Sequence, residues 1–113
     1  MSLDVVQLIA HEMVDQLAHG DYELVVQRCA RSRLTSNDLR MAIHHYGRKL
    51  VSPPKDAYQH LDVVQVKGAT VPTWSVRVPL WTEEEGRSDL TLELTVALGP
   101  NKPSVELDDL HVL

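Results

Sequence analysis

Acidic residues concentrate at two places in the C-terminal half of this 113-residue chain. The segment Trp81–Leu94, WTEEEGRSDLTLEL, carries three consecutive glutamates, and the segment Val105–Leu113, VELDDLHVL, places two aspartates close to His111. Grouped carboxylates can bind a cation, act as a general base beside an imidazole, or attract a basic protein. Which of these applies depends on the side chains that the fold brings to one surface.

The glutamate segment is predicted to be the tip of a hairpin. Glu83, Glu84 and Glu85 lie between two alternating stretches, and Gly86 gives the backbone the freedom that a reversal needs. Because consecutive strand residues point to opposite faces, at most two of the three glutamates could converge on one ion. The ligand spacing of a helix–loop–helix calcium site is absent as well. We therefore expect a solvated turn in which Arg87 pairs locally, or a docking surface for a protein.

The two tryptophans lie in opposite phases of the strand before this tip. Trp74 shares the phase of the apolar residues that follow it, which predicts a core residue or a pocket wall. Trp81 shares the phase of Arg77, and an exposed indole among charges is typical of an interface anchor. A bulge near Pro79 would instead turn Trp81 inward. The candidate partner-binding surface consists of Trp81, Glu83, Glu84, Glu85, Arg87 and Asp89.

The last strand loses its apolar phase at Asp108–Asp109. The apolar residues before these aspartates face one way and those after them face the other, which indicates a bulge. A bulge can turn Asp109 towards the concave side of the sheet near His111, and such a pair is a candidate general base. In the alternative, Asp109 binds backbone at the bulge and His111 is half exposed.

Neither a metal nor a cofactor is expected. His44 and His45 are adjacent on a predicted helix, so their side chains diverge by about 100°. No histidine pair at helical i, i+4 spacing has a third ligand nearby, as a zinc site would require. Cys29 falls on an apolar stripe and is interpreted as a small core residue rather than a nucleophile.

The net charge is unevenly distributed along the chain. Residues 1–60 contain seven basic and seven acidic side chains, whereas residues 61–113 contain four basic and nine acidic ones, which accounts for the formal charge of −5. Because binding to a phosphate backbone requires Lys and Arg, an acidic C-terminal half argues against a nucleic-acid partner. It is compatible with a basic protein partner, although solubility alone would also explain it.

The composition predicts a cytoplasmic protein that does not enter a membrane. No apolar run approaches the roughly 18 residues that a membrane span needs, and the first residues lack the basic region of a secretory signal. A single cysteine suits a reducing compartment.

Hydrophobic periodicity divides the chain into two kinds of element. Helical spacing covers residues 4–18, 22–32 and about 35–46, where Asp4, Asp21 and Thr35 or Ser36 suit N-terminal caps. After the breaker SPPKD, alternation predicts strands at residues 61–67, 73–83, 90–98 and 104–113. We therefore expect a single α+β domain, residues 1–113, with a helical half (1–60) and a sheet half (61–113). Three N-terminal helices would pack on a curved four-stranded antiparallel sheet.

This order of elements resembles a known superfamily. A first helix that ends in AHGDYELVV, with its break at Gly20–Asp21, two further short helices and then an antiparallel sheet are similar to the cone-shaped, nuclear-transport-factor-like fold. Small bacterial proteins of this type have ends that resemble WTEEEGRSDLTLEL and DDLHVL. The superfamily includes dehydratases, isomerases, polyketide cyclases, ligand binders and immunity proteins, so the resemblance implies a fold rather than one function.

Two function classes follow from these observations. The first is a small bacterial protein-binding module, such as an immunity protein that neutralises a basic toxin through the acidic sheet half. The alternative is a pocketed small-molecule binder or lyase/isomerase that uses Asp109 or His111 as base, with Trp74, Tyr46 and Tyr58 as pocket wall. Homodimerisation through the exposed sheet face is compatible with either class.

Overall fold

The computed structural model describes residues 2–59 and 61–113. Its elements, in chain order, are α1 (Ser2–Ala18), α2 (Tyr22–Arg28), β1 (Arg31–Ser32), α3 (Ser36–Tyr46), β2 (Leu50–Val51), β3 (Asp62–Gln65), β4 (Thr73–Thr82), β5 (Gly86–Leu98) and β6 (Pro103–Val112). The predicted α+β class is confirmed. Among the described residues, no helix is long and apolar enough to cross a membrane.

The predicted four-stranded antiparallel sheet is wrong in both strand number and direction. The sheet has six strands in the order β1-β6-β5-β4-β2, with β3 also paired to β4. It is mixed, because β1 runs parallel to β6 while the other pairs are antiparallel. The two unforeseen strands, β1 and β2, have two residues each and lie in the half that the sequence predicts to be helical. Strands this short carry no periodicity, so only their long-range partners define them.

Local capping explains where α3 begins and ends. The Thr35 side chain accepts a hydrogen bond from the Asp38 N–H (3.0 Å), and the Asp38 carboxylate accepts one from the Thr35 N–H (2.9 Å). This reciprocal pair satisfies two of the free N–H groups at the helix start. Gly47 ends the helix with φ 74°, a left-handed conformation that glycine adopts without strain.

The other two helices differ from their predicted limits. α1 begins at Ser2, so Asp4 lies within its first turn rather than at its cap. α2 ends at Arg28 because the chain beyond it bonds to β6: the Ala30 N–H donates to Val105 O (2.8 Å) and the Arg33 N–H to Leu107 O (2.9 Å). This pairing with β6 replaces the last turn of the predicted helix.

One face of the sheet, the inner face, forms the core with the helices. The apolar positions of β4 and β5 that alternate towards α1, including Val76, Val78, Leu92 and Leu94, are fully buried. The buried side chains belong to one cluster with residues of all three helices. Since successive strand residues alternate, the polar residues between them lie on the opposite face, the open face.

A tyrosine bridges a gap along one edge of β4. β2 pairs with the end of this strand and β3 with its start, so neither reaches Pro79. The Tyr58 hydroxyl donates to Pro79 O (2.8 Å) in that gap, and Tyr58 is only 3% exposed. The bond satisfies a carbonyl that the sheet ladder leaves free.

We expect Tyr58→Phe to destabilise the protein by about 1–2 kcal/mol near neutral pH, because it leaves the Pro79 carbonyl unsatisfied. Burial, with a smaller effect of the Asp15 charge, raises the pKa of Tyr58 in the folded protein. The stabilisation that protonated Tyr58 provides is fully present below about pH 10, the ordinary pKa of a tyrosine phenol. It declines as pH rises through the pKa of Tyr58 in the folded protein.

The variant should therefore lose less stability than the wild type between neutral pH and about pH 11. Urea unfolding at both pH values measures this difference. An equal loss in the two proteins would contradict the role given to Tyr58.

Candidate functional site

The glutamates of the β4–β5 hairpin contact the end of α3. The Glu85 carboxylate accepts hydrogen bonds from the Tyr46 hydroxyl, at 2.9 and 3.1 Å to its two oxygens, and from the Thr82 hydroxyl at 3.1 Å. The Glu85 N–H also donates to the Thr82 hydroxyl oxygen (3.0 Å). Glu85 therefore orders the turn and holds it against Tyr46.

The other two glutamates contact the residue that leads into β2. The Glu84 carboxylate accepts from the Lys49 N–H (3.1 Å), and the Glu83 N–H donates to Lys49 O (2.9 Å). The Lys49 ammonium lies 3.9 Å from the Glu83 carboxylate, with both side chains well exposed, so this ion pair adds little stability. We name these contacts the hairpin cluster; its members are Tyr46, Lys49, Thr82, Glu83, Glu84 and Glu85.

Tyr46 is the neutral donor in this cluster. Its partial burial and its hydrogen bond to the Glu85 carboxylate raise the pKa of the phenol. The Tyr46 hydroxyl therefore keeps its proton up to a higher pH than a free tyrosine would. It continues to donate to the Glu85 carboxylate over the same range.

The remaining residues of the predicted partner-binding surface are spread around the hairpin. Trp81 is half-buried and packs against the core, and its indole N–H is buried without a hydrogen-bond partner among the described residues. Arg87 makes no ion pair with the glutamates. Together with Arg77 and Asp89 it lines a shallow depression of about 250 Å³ on the open face. The expected local pairing of Arg87 with the glutamates is therefore replaced by the bonds to α3 and Lys49.

Carboxylates concentrate on the open face of β5 and β6. Glu93 lies opposite Asp109 in the ladder, and Thr95 lies opposite Glu106. On the other side of β5, Glu93 faces Arg77 of β4. Apart from the buried Thr73 and Thr91, the outward residues of these strands are exposed or half-exposed. This part of the sheet is thus a polar, solvent-accessible and mainly acidic surface.

A bulge in β6 places two consecutive aspartates on this face. Glu93 pairs with Asp109 and Leu94 with Leu107, so Asp108 is the extra residue. The Thr95 hydroxyl, which points outward, donates to the Asp108 carboxylate (2.7 Å). In a regular strand one of the two aspartates would point into the core. The bulge therefore avoids burying a carboxylate and doubles the local negative charge.

His111 lies between two carboxylates at this bulge. Its Nε2 contacts the Glu93 carboxylate and lies 3.9 Å from an oxygen of Asp109. The other Asp109 oxygen accepts from the Leu110 N–H (2.8 Å). We name Glu93, Thr95, Asp108, Asp109 and His111 the bulge cluster.

The exposure of these side chains limits what the bulge cluster can do chemically. His111, Glu93 and Asp109 side chains are 38%, 27% and 52% exposed. A general base in a pocket is normally shielded from water, which strengthens its interactions with substrate. The bulge cluster instead presents hydrogen-bond acceptors and negative charge to solvent, which suits recognition of a cationic surface.

The predicted pocket-wall residues do not meet one another. Trp74 is on the inner face near β3, where it lines a groove with Leu3 and Val63. Tyr46 belongs to the hairpin cluster and Tyr58 to the gap beside Pro79. Asp109 and His111 are on the opposite face of the sheet from Trp74, so these residues do not surround one ligand.

Within residues 2–59 and 61–113, no group of three or more His, Cys, Asp or Glu side chains is arranged to hold a metal ion. Cys29 is half-buried, and its thiol donates to Val25 O (3.2 Å). Burial raises the pKa of the Cys29 thiol, which favours the unreactive protonated form.

Two features of the site escaped the sequence prediction. Glu93 stands between two apolar residues of an alternating strand, and only the register with β6 shows that it faces Asp109 and His111. Tyr46 and Glu85 are 39 residues apart, and nothing in either local pattern indicates their bond.

A family model described as a domain of unknown function (DUF7668) matches residues 14–113. This range begins inside α1 and includes the hairpin and bulge clusters. No curated protein and no solved structure matches the chain.

We expect Glu85→Ala to destabilise the protein by about 1–2 kcal/mol, because Tyr46 and Thr82 lose their acceptor. Glu83→Ala, which removes only an exposed ion pair, should cost less than about 0.5 kcal/mol. A double-mutant cycle with Tyr46→Phe should give a coupling energy of about 0.5–1.5 kcal/mol between Tyr46 and Glu85. Chemical denaturation of the wild type, Glu85→Ala, Tyr46→Phe and the double variant measures this coupling energy. Additive effects of the two substitutions would show that the Tyr46–Glu85 hydrogen bond contributes nothing to stability.

Proposed function

We propose that this chain, which belongs to the DUF7668 family, is a protein-binding module that recognises a basic partner through the open face of its sheet. The observation that carries the proposal is the β6 bulge, which brings Asp108 and Asp109 to the same solvent-accessible surface as Glu93 and Glu106.

Charge supports a cationic partner. Among the outward side chains of β5 and β6, five are carboxylates, Asp89, Glu93, Glu106, Asp108 and Asp109, against a single arginine, Arg87, at the start of β5. Arg77, the facing cation on β4, makes no ion pair with the described residues. An excess of negative charge on an exposed face attracts a positively charged protein and accelerates its association.

Side-chain positioning supports recognition by direct contact. The Thr95–Asp108 bond and the contact between His111 and Glu93 hold these polar groups in place. Pre-positioned side chains lose less conformational entropy when a partner binds. An immunity-type protein that neutralises a basic toxin is one specific form of this function.

The hairpin cluster is not part of this surface. The Glu84 and Glu85 carboxylates accept hydrogen bonds from Lys49, Tyr46 and Thr82, so binding a partner through them would compete with contacts inside the chain. The proposed partner-binding face is therefore one sheet face, centred on the bulge cluster, rather than the hairpin tip.

The test compares two doubly charge-reversed variants with the wild type. Glu106→Lys/Asp109→Lys changes the open face, and Glu23→Lys/Asp56→Lys gives the same change in net charge at exposed sites elsewhere. Tagged proteins are used to capture the partner from lysate of the source cell, and native mass spectrometry gives its mass and stoichiometry.

We expect the wild type and the control variant to bind the same basic protein, and the open-face variant to bind it at least about tenfold more weakly. The affinity of the wild type should also fall with salt concentration. Thermal unfolding verifies that both variants are folded. Capture of the partner with unchanged affinity by the open-face variant, or equal loss in the control, would contradict the proposal.

A further inference from the structure

We propose that the depression lined by Arg77, Arg87 and Asp89 binds a small zwitterion, an α-amino acid with an apolar side chain. The depression lies on the open face, near the start of β5 rather than at the bulge cluster. The inference does not rest on the proposed basic partner, because it concerns a ligand that the isolated chain would bind.

The depression lies beside the gap in the β4 edge. Neither β2 nor β3 reaches Pro79, and the segment that crosses this gap brings Ala57 and Leu61 to the edge of the depression. Pro79 and Thr91, which lie opposite each other in β4 and β5, line it as well. Its volume of about 250 Å³ is below the roughly 300–1,000 Å³ of sites for drug-sized ligands. The ligand must therefore be small.

Two arginines line the depression without a carboxylate partner. Arg77 lies between Asp62 of β3 and Glu93 of β5 in the ladder, yet it makes an ion pair with neither. Arg87 comes shortly after three glutamates and likewise makes no ion pair with any described residue. A guanidinium binds a carboxylate through two parallel hydrogen bonds. Two unpaired guanidiniums at one depression therefore favour a ligand that carries a carboxylate.

Two aspartates at the same depression favour a ligand that is also positively charged. Asp62 lies opposite Arg77, and Asp89 is two residues from Arg87 on the same face of β5. Within residues 2–59 and 61–113, neither carboxylate has an ion-pair or hydrogen-bond partner. Because the four side-chain charges cancel, they give the depression no excess positive charge that would attract a simple anion. A ligand with both a carboxylate and an ammonium can pair with the arginines and the aspartates together.

The rest of the lining favours an apolar group on the ligand. Ala57, Leu61, Pro79 and Leu113 are the apolar residues there. The Thr91 side chain is buried, and its hydroxyl already donates to Asp89 O (3.1 Å). Covering apolar surface with an apolar side chain is favourable. An apolar α-amino acid combines a carboxylate, an ammonium and such a side chain in a molecule small enough for this volume.

Titration of the isotope-labelled protein with L-leucine, followed by NMR, tests the proposal. We expect saturable shifts of backbone amides at residues 57–62, 77–79 and 87–91. The dissociation constant should be on the order of 1 mM, since a ligand of this size makes few contacts. Isocaproate lacks the ammonium of leucine, and L-leucinamide lacks its carboxylate. Each of these two probes should bind at least about tenfold more weakly than leucine, because half of the charge pairs are lost.

Arg77→Gln and Arg87→Gln test the two guanidiniums. Each variant should raise the dissociation constant for L-leucine by about tenfold or more, and a tenfold change corresponds to about 1.4 kcal/mol. Arg48→Gln is the matched control, because Arg48 is exposed, lies outside the depression and loses the same charge. It should leave the affinity unchanged. All three positions are exposed, and circular dichroism verifies that the variants are folded.

Three outcomes would overturn the proposal. The first is a set of shifts that stay linear, without saturation, up to the solubility limit of leucine. The second is binding of isocaproate or L-leucinamide as tight as that of leucine, which would show that a single charge suffices. The third is an affinity for leucine that Arg77→Gln and Arg87→Gln lower no more than Arg48→Gln does.

Discussion

One face of β5 is buried against the helices, and this burial determines the arrangement of the other elements. Leu92, Leu94 and Val96 have no exposed surface, and the alternation of a strand places Glu93 and Thr95 on the other side. Burying the apolar row requires a helix layer on one side of the sheet, which α1 and its neighbours supply. The polar row then needs water or a partner on the other side. One-sided burial thus determines both where the core lies and which surface remains for recognition.

The bulge in β6 follows from the same constraint. A regular strand would direct one of two consecutive aspartates into the apolar core, where an unpaired carboxylate is costly. The extra residue, Asp108, changes the phase, so that Leu107 and Leu110 both face inward while Asp108 and Asp109 face outward. The adjustment that protects the core therefore also builds the most acidic part of the open face.

Residue pattern predicted most of the long elements but not the connections between them. The cap at Thr35 or Ser36, the end of the third helix near residue 46 and the phase slip at Asp108–Asp109 are local signals, and the structure has a cap at Thr35, a helix that ends at Tyr46 and a bulge at Asp108. β1 and β2 could not be predicted, since each consists of two residues that a partner strand defines. α2 ends before its predicted limit for the same reason, because the chain after Arg28 bonds to a distant strand, β6.

The candidate site could be predicted only where its residues lie close together in the sequence. The sequence indicates that Asp109 and His111 are neighbours, but Glu93 joins them through pairing of β5 with β6. The glutamates of the hairpin have the composition of a docking surface, and distant residues of α3 and the following segment bind two of them, Glu84 and Glu85. Composition identified acidic groups, whereas long-range contacts decided which remain available.

Carboxyl-group footprinting would show which acidic residues a bound partner covers. Carbodiimide-activated labelling of the protein, alone and with its captured partner, reports by mass spectrometry which carboxylates a bound protein covers. We expect the partner to protect Glu93, Glu106, Asp108 and Asp109, while Glu23 and Asp56 keep their labelling. Protection confined to the hairpin glutamates or to the helices, with the open face labelled as in the free protein, would contradict it.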